Sequence, residues 1–229
     1  MIVNVGRRRG LVWAFLVAAT ALASPRPVEA QDPASSAARL RSDSAAVAKA
    51  RADSARYPYT SADIEFMSGM IGHHAQAVAM SRWAASHGAS GPIQRLADRI
   101  INAQVDEIAL MSRWLRDRNQ PVPEANPKGM KMIMNGMEHM MLMPGMLTEE
   151  QMTDLDKARG PEFDKKFLVY MMQHHDGAVG MVKQLFGTVG AGQDEMVFKF
   201  ASDVQIDQTT EITRMQQLRI ALEFGTLPP

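Results

Sequence analysis

One stretch of this chain is written twice. Residues 63–80 laid over residues 164–181, an offset of 101, agree at eight positions: Asp63, Phe66, Met70, His73, His74, Ala77, Val78 and Met80 meet Asp164, Phe167, Met171, His174, His175, Ala178, Val179 and Met181. A second stretch follows each copy. At an offset of 104, Ala97, Gln104, Glu107, Ile108 and Met111 meet Ala201, Gln208, Glu211, Ile212 and Met215. The change of offset falls between the two stretches, in "HGASGP" and "GTVGAG", where turns absorb insertions at small cost.

At about 100° per residue, every identity of the first stretch except Val78 falls within an arc of roughly 120°, and those of the second within roughly 100°. Each stretch is therefore one stripe of an amphipathic helix, and each copy is a helical hairpin. Thr60 is placed to cap the first helix, and Thr148 with Gln151 forms a capping box ahead of a short one. No strand-like alternation is expected, and residues 128–160 read as Met-rich and partly helical. Four helices burying such stripes predict an all-α, ferritin-like four-helix bundle: two repeated hairpins joined by a long Met-rich connector. The expected bounds are 60–224 for the bundle, with repeat one at 60–119, the connector at 120–160 and repeat two at 161–224.

Ahead of the bundle, Arg7, Arg8 and Arg9 precede an apolar run from Leu11 to Leu22, too short to cross a bilayer. Small residues follow, and Val28-Glu29-Ala30 suits signal peptidase. Residues 1–30 read as a secretory signal peptide cut near Ala30, and 31–59 as a polar linker. The product is expected in the periplasm or secreted, with no membrane span in the mature protein. Its 25 basic and 25 acidic residues balance, so no basic surface points to nucleic acid. There is no cysteine, which excludes disulfides and thiolate ligands alike, while methionine reaches 19 residues.

The stripes carry His73, His74, His174 and His175 among Phe, Ile, Ala and Met. A single histidine on an apolar face is usually a hydrogen-bonded core residue. Four of the chain's six, in two identical pairs with Glu107 and Glu211 on the neighbouring stripes, are hard to satisfy except through a metal. Imidazole suits copper, zinc, iron and nickel, and thioether narrows the choice to copper(I). Met70 can meet His73 and His74 on one helix face, with Met80 and Met111 near them and Met171, Met181 and Met215 as counterparts. Copper(I) is the expected metal, ahead of iron or zinc. The ferritin-like di-iron pattern fails, because neither Glu107 nor Glu211 has a histidine three residues on.

The connector segment "KGMKMIMNGMEHMMLMPGM" holds eight methionines and His139. Methionine fills irregular gaps well, so a packing role competes with a binding one. His139, Met140, Met141, Met143 and Met146 crowd around a Pro-Gly break and form a candidate second, more exposed site for copper or silver.

The doubled Asp-x-x-Phe-x-x-x-Met-x-x-His-His-x-x-Ala-x-x-Met pattern, the Gln-x-x-Glu-Ile-x-x-Met helices and "MPGM" at 143–146 resemble the domain-of-unknown-function family 305 over about residues 60–222. The resemblance implies an exported, ferritin-like protein and a link to periplasmic copper binding and copper tolerance. The expected function is copper(I) storage, buffering or handover, with the ion and a copper-handling protein as partners. No nucleophile–base pair or phosphate loop supports catalysis. Two alternatives stand beside it: a metal-dependent oxidase using the His/Glu core, and a metal-free bundle that docks another protein.

Overall fold

The computed structural model describes residues 58–134 and 137–227, with residues 44, 45 and 48. The expected export signal and nearly all of the linker lie outside them. In chain order the elements are α1 (Ser61–Ser86), α2 (Gly91–Asp117), β1 (Met130–Met134), β2 (Met137–Met141), α3 (Glu149–Lys157), α4 (Pro161–Gly187) and α5 (Glu195–Glu223). α1 packs on α2, α4 packs on α5, and the two hairpins meet mainly through α1 and α4. The four long helices form the expected all-α bundle.

The repeated aspartates show how local signals set this arrangement. Thr60 and Asp63 make a reciprocal capping box: the Asp63 backbone N–H donates to Thr60 Oγ1 at 3.3 Å, and the Thr60 N–H donates to Asp63 Oδ2 at 2.6 Å. The other carboxylate oxygen of the buried Asp63 accepts the Gly192 N–H at 2.7 Å, in the turn between α4 and α5. Asp164 does the matching job from α4, accepting the Ser90 N–H at 3.2 Å in the turn between α1 and α2. Asp63 thus caps its own helix, Asp164 sits in the first turn of α4 without capping it, and each holds the other hairpin's turn. Both are retained in the repeat for assembly, not for chemistry.

Where the second stripe departs from the repeat, the packing differs. Trp114 donates from Nε1 to Asp194 Oδ1 at 3.0 Å, and Arg118 pairs with Asp194 Oδ2 at 2.5 Å while its guanidinium lies 4.3 Å from the Trp114 ring centroid. This joins the end of α2 to the cap of α5. Leu218 stands at the position equivalent to Trp114 and offers no such donor.

The connector corrects the expectation of a helix without strands. Met130–Met134 and Met137–Met141 pair antiparallel, in a register that runs from Met130 opposite Met141 to Met134 opposite Met137. The reason is present in the chain: Met-Lys-Met-Ile-Met alternates, and Asn135-Gly136, the pair most favoured in two-residue hairpin loops, separates the strands. α3 follows with the Thr148–Gln151 capping box in place.

The connector is seated by the positions at which the repeat fails. Gln76 and Gly177 are equivalent by the offset of 101 but differ. The buried Gln76 amide donates to Pro127 O at 2.9 Å and Leu147 O at 3.1 Å, and accepts the Leu147 N–H at 2.6 Å. It therefore pins both ends of the connector to α1. Gly177 lets the Pro144-Gly145 backbone lie on α4: a methyl there would fall 2.1 Å from Pro144 O. Gly69, opposite Tyr170 in the repeat, gives the same freedom to Met143, whose sulfur would lie 2.8 Å from a methyl at that position. Tyr170 instead donates to Asp154 Oδ2 on α3 at 2.8 Å.

Candidate metal centre

All four repeated histidines are fully buried. The two pairs meet: the His73 and His174 rings lie 3.8 Å apart, centroid to centroid, across the α1–α4 contact. His74 and His175 stand further out, 6.2 and 6.3 Å from their neighbours. Each outer ring takes a glutamate from the next helix. His74 Nε2 lies 2.7 Å from Glu107 Oε2, and His175 Nε2 lies 2.6 Å from Glu211 Oε2. Those carboxylates keep about a fifth of their surface in solvent, 21% and 24%, so they link water to the buried rings.

These bonds fix which ring nitrogen carries the proton. A carboxylate or a carbonyl oxygen only accepts, so Nε2 must be the donor of His74 and His175. His73 Nε2, 3.0 Å from Pro144 O, is a donor for the same reason. In the neutral rings each Nδ1 then holds a free lone pair, and all three Nδ1 atoms are buried with no hydrogen-bond partner. His174 has a partner at neither nitrogen. This is the arrangement in which a second ligand orients an imidazole and leaves its other nitrogen for a cation. His87 supplies the contrast within the same molecule. It is also buried, yet its Nδ1 meets Ser86 Oγ at 2.9 Å and its Nε2 meets Asp156 at 2.9 and 3.0 Å.

Burial holds the inner rings in the neutral form. Desolvation, reinforced by the neighbouring histidines, brings His73 down to about 3 from 6.5 and holds His174 well below 6.5. Neutral imidazole is the form that ligates metals.

The methionines sort into two layers. Met70, Met111 and Met181 share one core cluster, and Met80, Met171 and Met215 share the other. Each layer draws on both repeats, because α1 and α4 cross antiparallel at His73 and His174. The repeat maps one layer onto the other, since Met70, Met111 and Met181 correspond to Met171, Met215 and Met80. Met143 packs against the first layer, close to the Met181 methyl. Gln104 and Gln208, also repeated, are buried with amide atoms lacking partners.

The donors fit a soft cation better than a hard one. Among the described residues no three His, Cys, Asp or Glu side chains converge as a ready-made cage. What the core offers is buried imidazole and buried thioether, a donor set that favours copper(I). The proposed outer group divides. Met146 is buried, and its sulfur accepts the Met143 N–H at 3.3 Å. His139, Met140 and Met141 are exposed, with Met140 paired to Lys131 and lining a groove with Leu142, Trp83 and Met152. Gln76 and Gly177 were missed in the sequence reading, and their signal was the break in the repeat.

Residues 63–219 match the family described as Domain of unknown function (DUF305). The chain belongs to that family. A DUF305 crystal structure from Streptomyces coelicolor, described as that of a secreted protein, is 29% identical, with a TM-score of 0.56 over 71% of this chain and 92% of the other. CopM in its Cu(II)-bound form is 28% identical, TM-score 0.54, over 69% of this chain and 95% of CopM. CopM in its Cu(I)-bound form is 26% identical, TM-score 0.51, over 68% and 93%. No curated protein matches the chain. No described helix of this DUF305 protein is long and apolar enough to cross a membrane.

Proposed function

We propose that this DUF305 protein binds copper(I) as cargo, for storage, buffering or handover in copper tolerance, after export and signal cleavage near Ala30. The observation that carries the reading is the set of unpartnered imidazole nitrogens between two methionine layers. A metal-free bundle would have to bury those nitrogens at about 1–3 kcal/mol each, and nothing in the fold requires it. His73, His74, His174 and His175 are the nitrogen donors, and Met70, Met111, Met181, Met80, Met171 and Met215 the sulfur donors. Glu107 and Glu211 orient the outer rings. The connector supplies an outer site.

The copper-bound states of CopM support the choice of metal. The missing cysteine supports it too: thioethers hold copper(I) without thiol oxidation in an oxidising compartment, although they remain open to sulfoxide formation. A di-iron form of the oxidase reading asks for a carboxylate-rich cage, which the donor set does not resemble.

Anaerobic copper(I) titration against a chromogenic chelator tests the proposal. Wild-type protein is expected to take copper(I) from the chelator, and His73→Leu with His174→Leu to bind at least tenfold more weakly at the core. Equal retention by the folded double variant would remove the core site from the account.

A further inference from the structure

The hairpin has two unlike faces. Cross-strand partners share a face, and alternate residues along a strand return to it. The register therefore gathers Met130, Met137, His139 and Met141 on one side. The other side receives Lys131 with Met140. Of the described side chains, one face thus holds three methionines and one histidine, and the other a lysine and a methionine. On the first, Met137 is 62% exposed, Met141 40%, and His139 is exposed as well, while Met130 is half-buried.

We propose that this face is a second, independent site for a soft monovalent cation, built on Met130, Met137, His139 and Met141. It rests on the reading of the chain as a metal handler but not on the core site. Directly opposed Cβ atoms lie roughly 4.5–5.5 Å apart, and diagonal neighbours roughly 7–8 Å. Long, unbranched methionine side chains bridge those spans, so two or three donors reach one ion. Low coordination with thioether and imidazole suits copper(I) or silver(I). Thioether and imidazole do not suit magnesium or calcium, which require oxygen ligands. The assignment separates residues that are neighbours in sequence. Met140 belongs to the opposite face, and Met143 and Met146 belong to the bundle.

Silver(I) is the probe, because it is soft and does not cycle under peroxide. Full-length protein is treated with hydrogen peroxide with and without silver(I), and sulfoxide is read at each methionine by mass spectrometry. Silver is expected to slow oxidation of Met137 and Met141 at least fivefold and leave Met140 unchanged. Met137→Leu with Met141→Leu is expected to lose about one bound silver per chain in native mass spectrometry, and Met140→Leu none. Leucine retains the apolar character and approximate size, and unchanged circular dichroism checks the fold. Equal protection of Met140, or full silver binding by the Met137→Leu, Met141→Leu protein, would overturn the proposal. His73→Leu with His174→Leu separates the two sites. Protection at the hairpin persists in that variant if the site is independent, and its loss there would also overturn the proposal. Protection that persists while the variant retains all its bound silver would uphold the hairpin and count against the core.

Discussion

The metal-free protein is expected to lose stability steeply as the pH falls below about 6.5, by about 3 kcal/mol at pH 4.5 from His73 alone. The sign follows from burial. The folded state holds the ring neutral down to about 3, whereas the unfolded chain takes up a proton near 6.5. The favourable difference is complete above 6.5. Below it, the unfolded state binds protons that the folded state refuses, and about 1.4 kcal/mol is lost per pH unit for each ring until the folded value is reached. His174 acts in the same direction. Urea melts from pH 7.5 to 4.5 measure the slope. In His73→Leu with His174→Leu the contribution of these rings disappears. That variant is also expected to be more stable than wild type at pH 7, because an apolar pair replaces three buried nitrogens without partners and gives up only the His73–Pro144 bond. A protein that gains stability while losing its metal would show that these rings are kept for binding. Equal acid slopes in the two proteins would contradict the assignment.

Gly177→Ala is expected to destabilise the protein by about 2 kcal/mol and lower Tm by about 4–8 °C. Alanine in a helix is ordinarily favoured over glycine by about 1 kcal/mol, so the effect must come from the connector. The added methyl would fall 2.1 Å from Pro144 O and 2.5 Å from Gly145 Cα, both backbone atoms that cannot rotate away. The displaced segment also carries the acceptor that fixes His73, so copper(I) affinity should fall with stability. Gly180, in the same helix, is the control: nothing lies within 4 Å of a methyl there, and Gly180→Ala should be neutral or stabilising. Differential scanning calorimetry of both variants decides the matter. An unchanged Tm for Gly177→Ala would mean that the connector is not seated on α4 as described.

The bundle was legible because the two repeats preserve what both halves need. Phe66, Ala77, Met111 and their equivalents mark the inward stripes, and the capping residues mark the helix starts. The hairpin was obscured by its own composition. Methionine lacks the β-branched or aromatic signature by which strands are noticed, and a Met-rich segment reads as helix unless its alternation and Asn135-Gly136 are weighed first. The layering of the methionines was beyond one-dimensional reading. Met70 and Met80 sit on one helix, yet the antiparallel crossing sends Met80 to Met171 and Met215. Gln76 and Gly177 escaped because attention to identities hides positions where the copies must differ to hold a single connector.

Copper K-edge X-ray absorption of the copper(I)-loaded full-length protein carrying Met137→Leu and Met141→Leu, prepared without oxygen, tests the core site most directly. With the hairpin site removed, the bound copper should show both imidazole nitrogen and thioether sulfur in its first shell. Introducing His73→Leu and His174→Leu should abolish that mixed signature. Failure to bind copper(I), or a first shell of nitrogen and oxygen alone that survives loss of both inner histidines, would contradict the assignment of the buried histidines and methionines as the copper site.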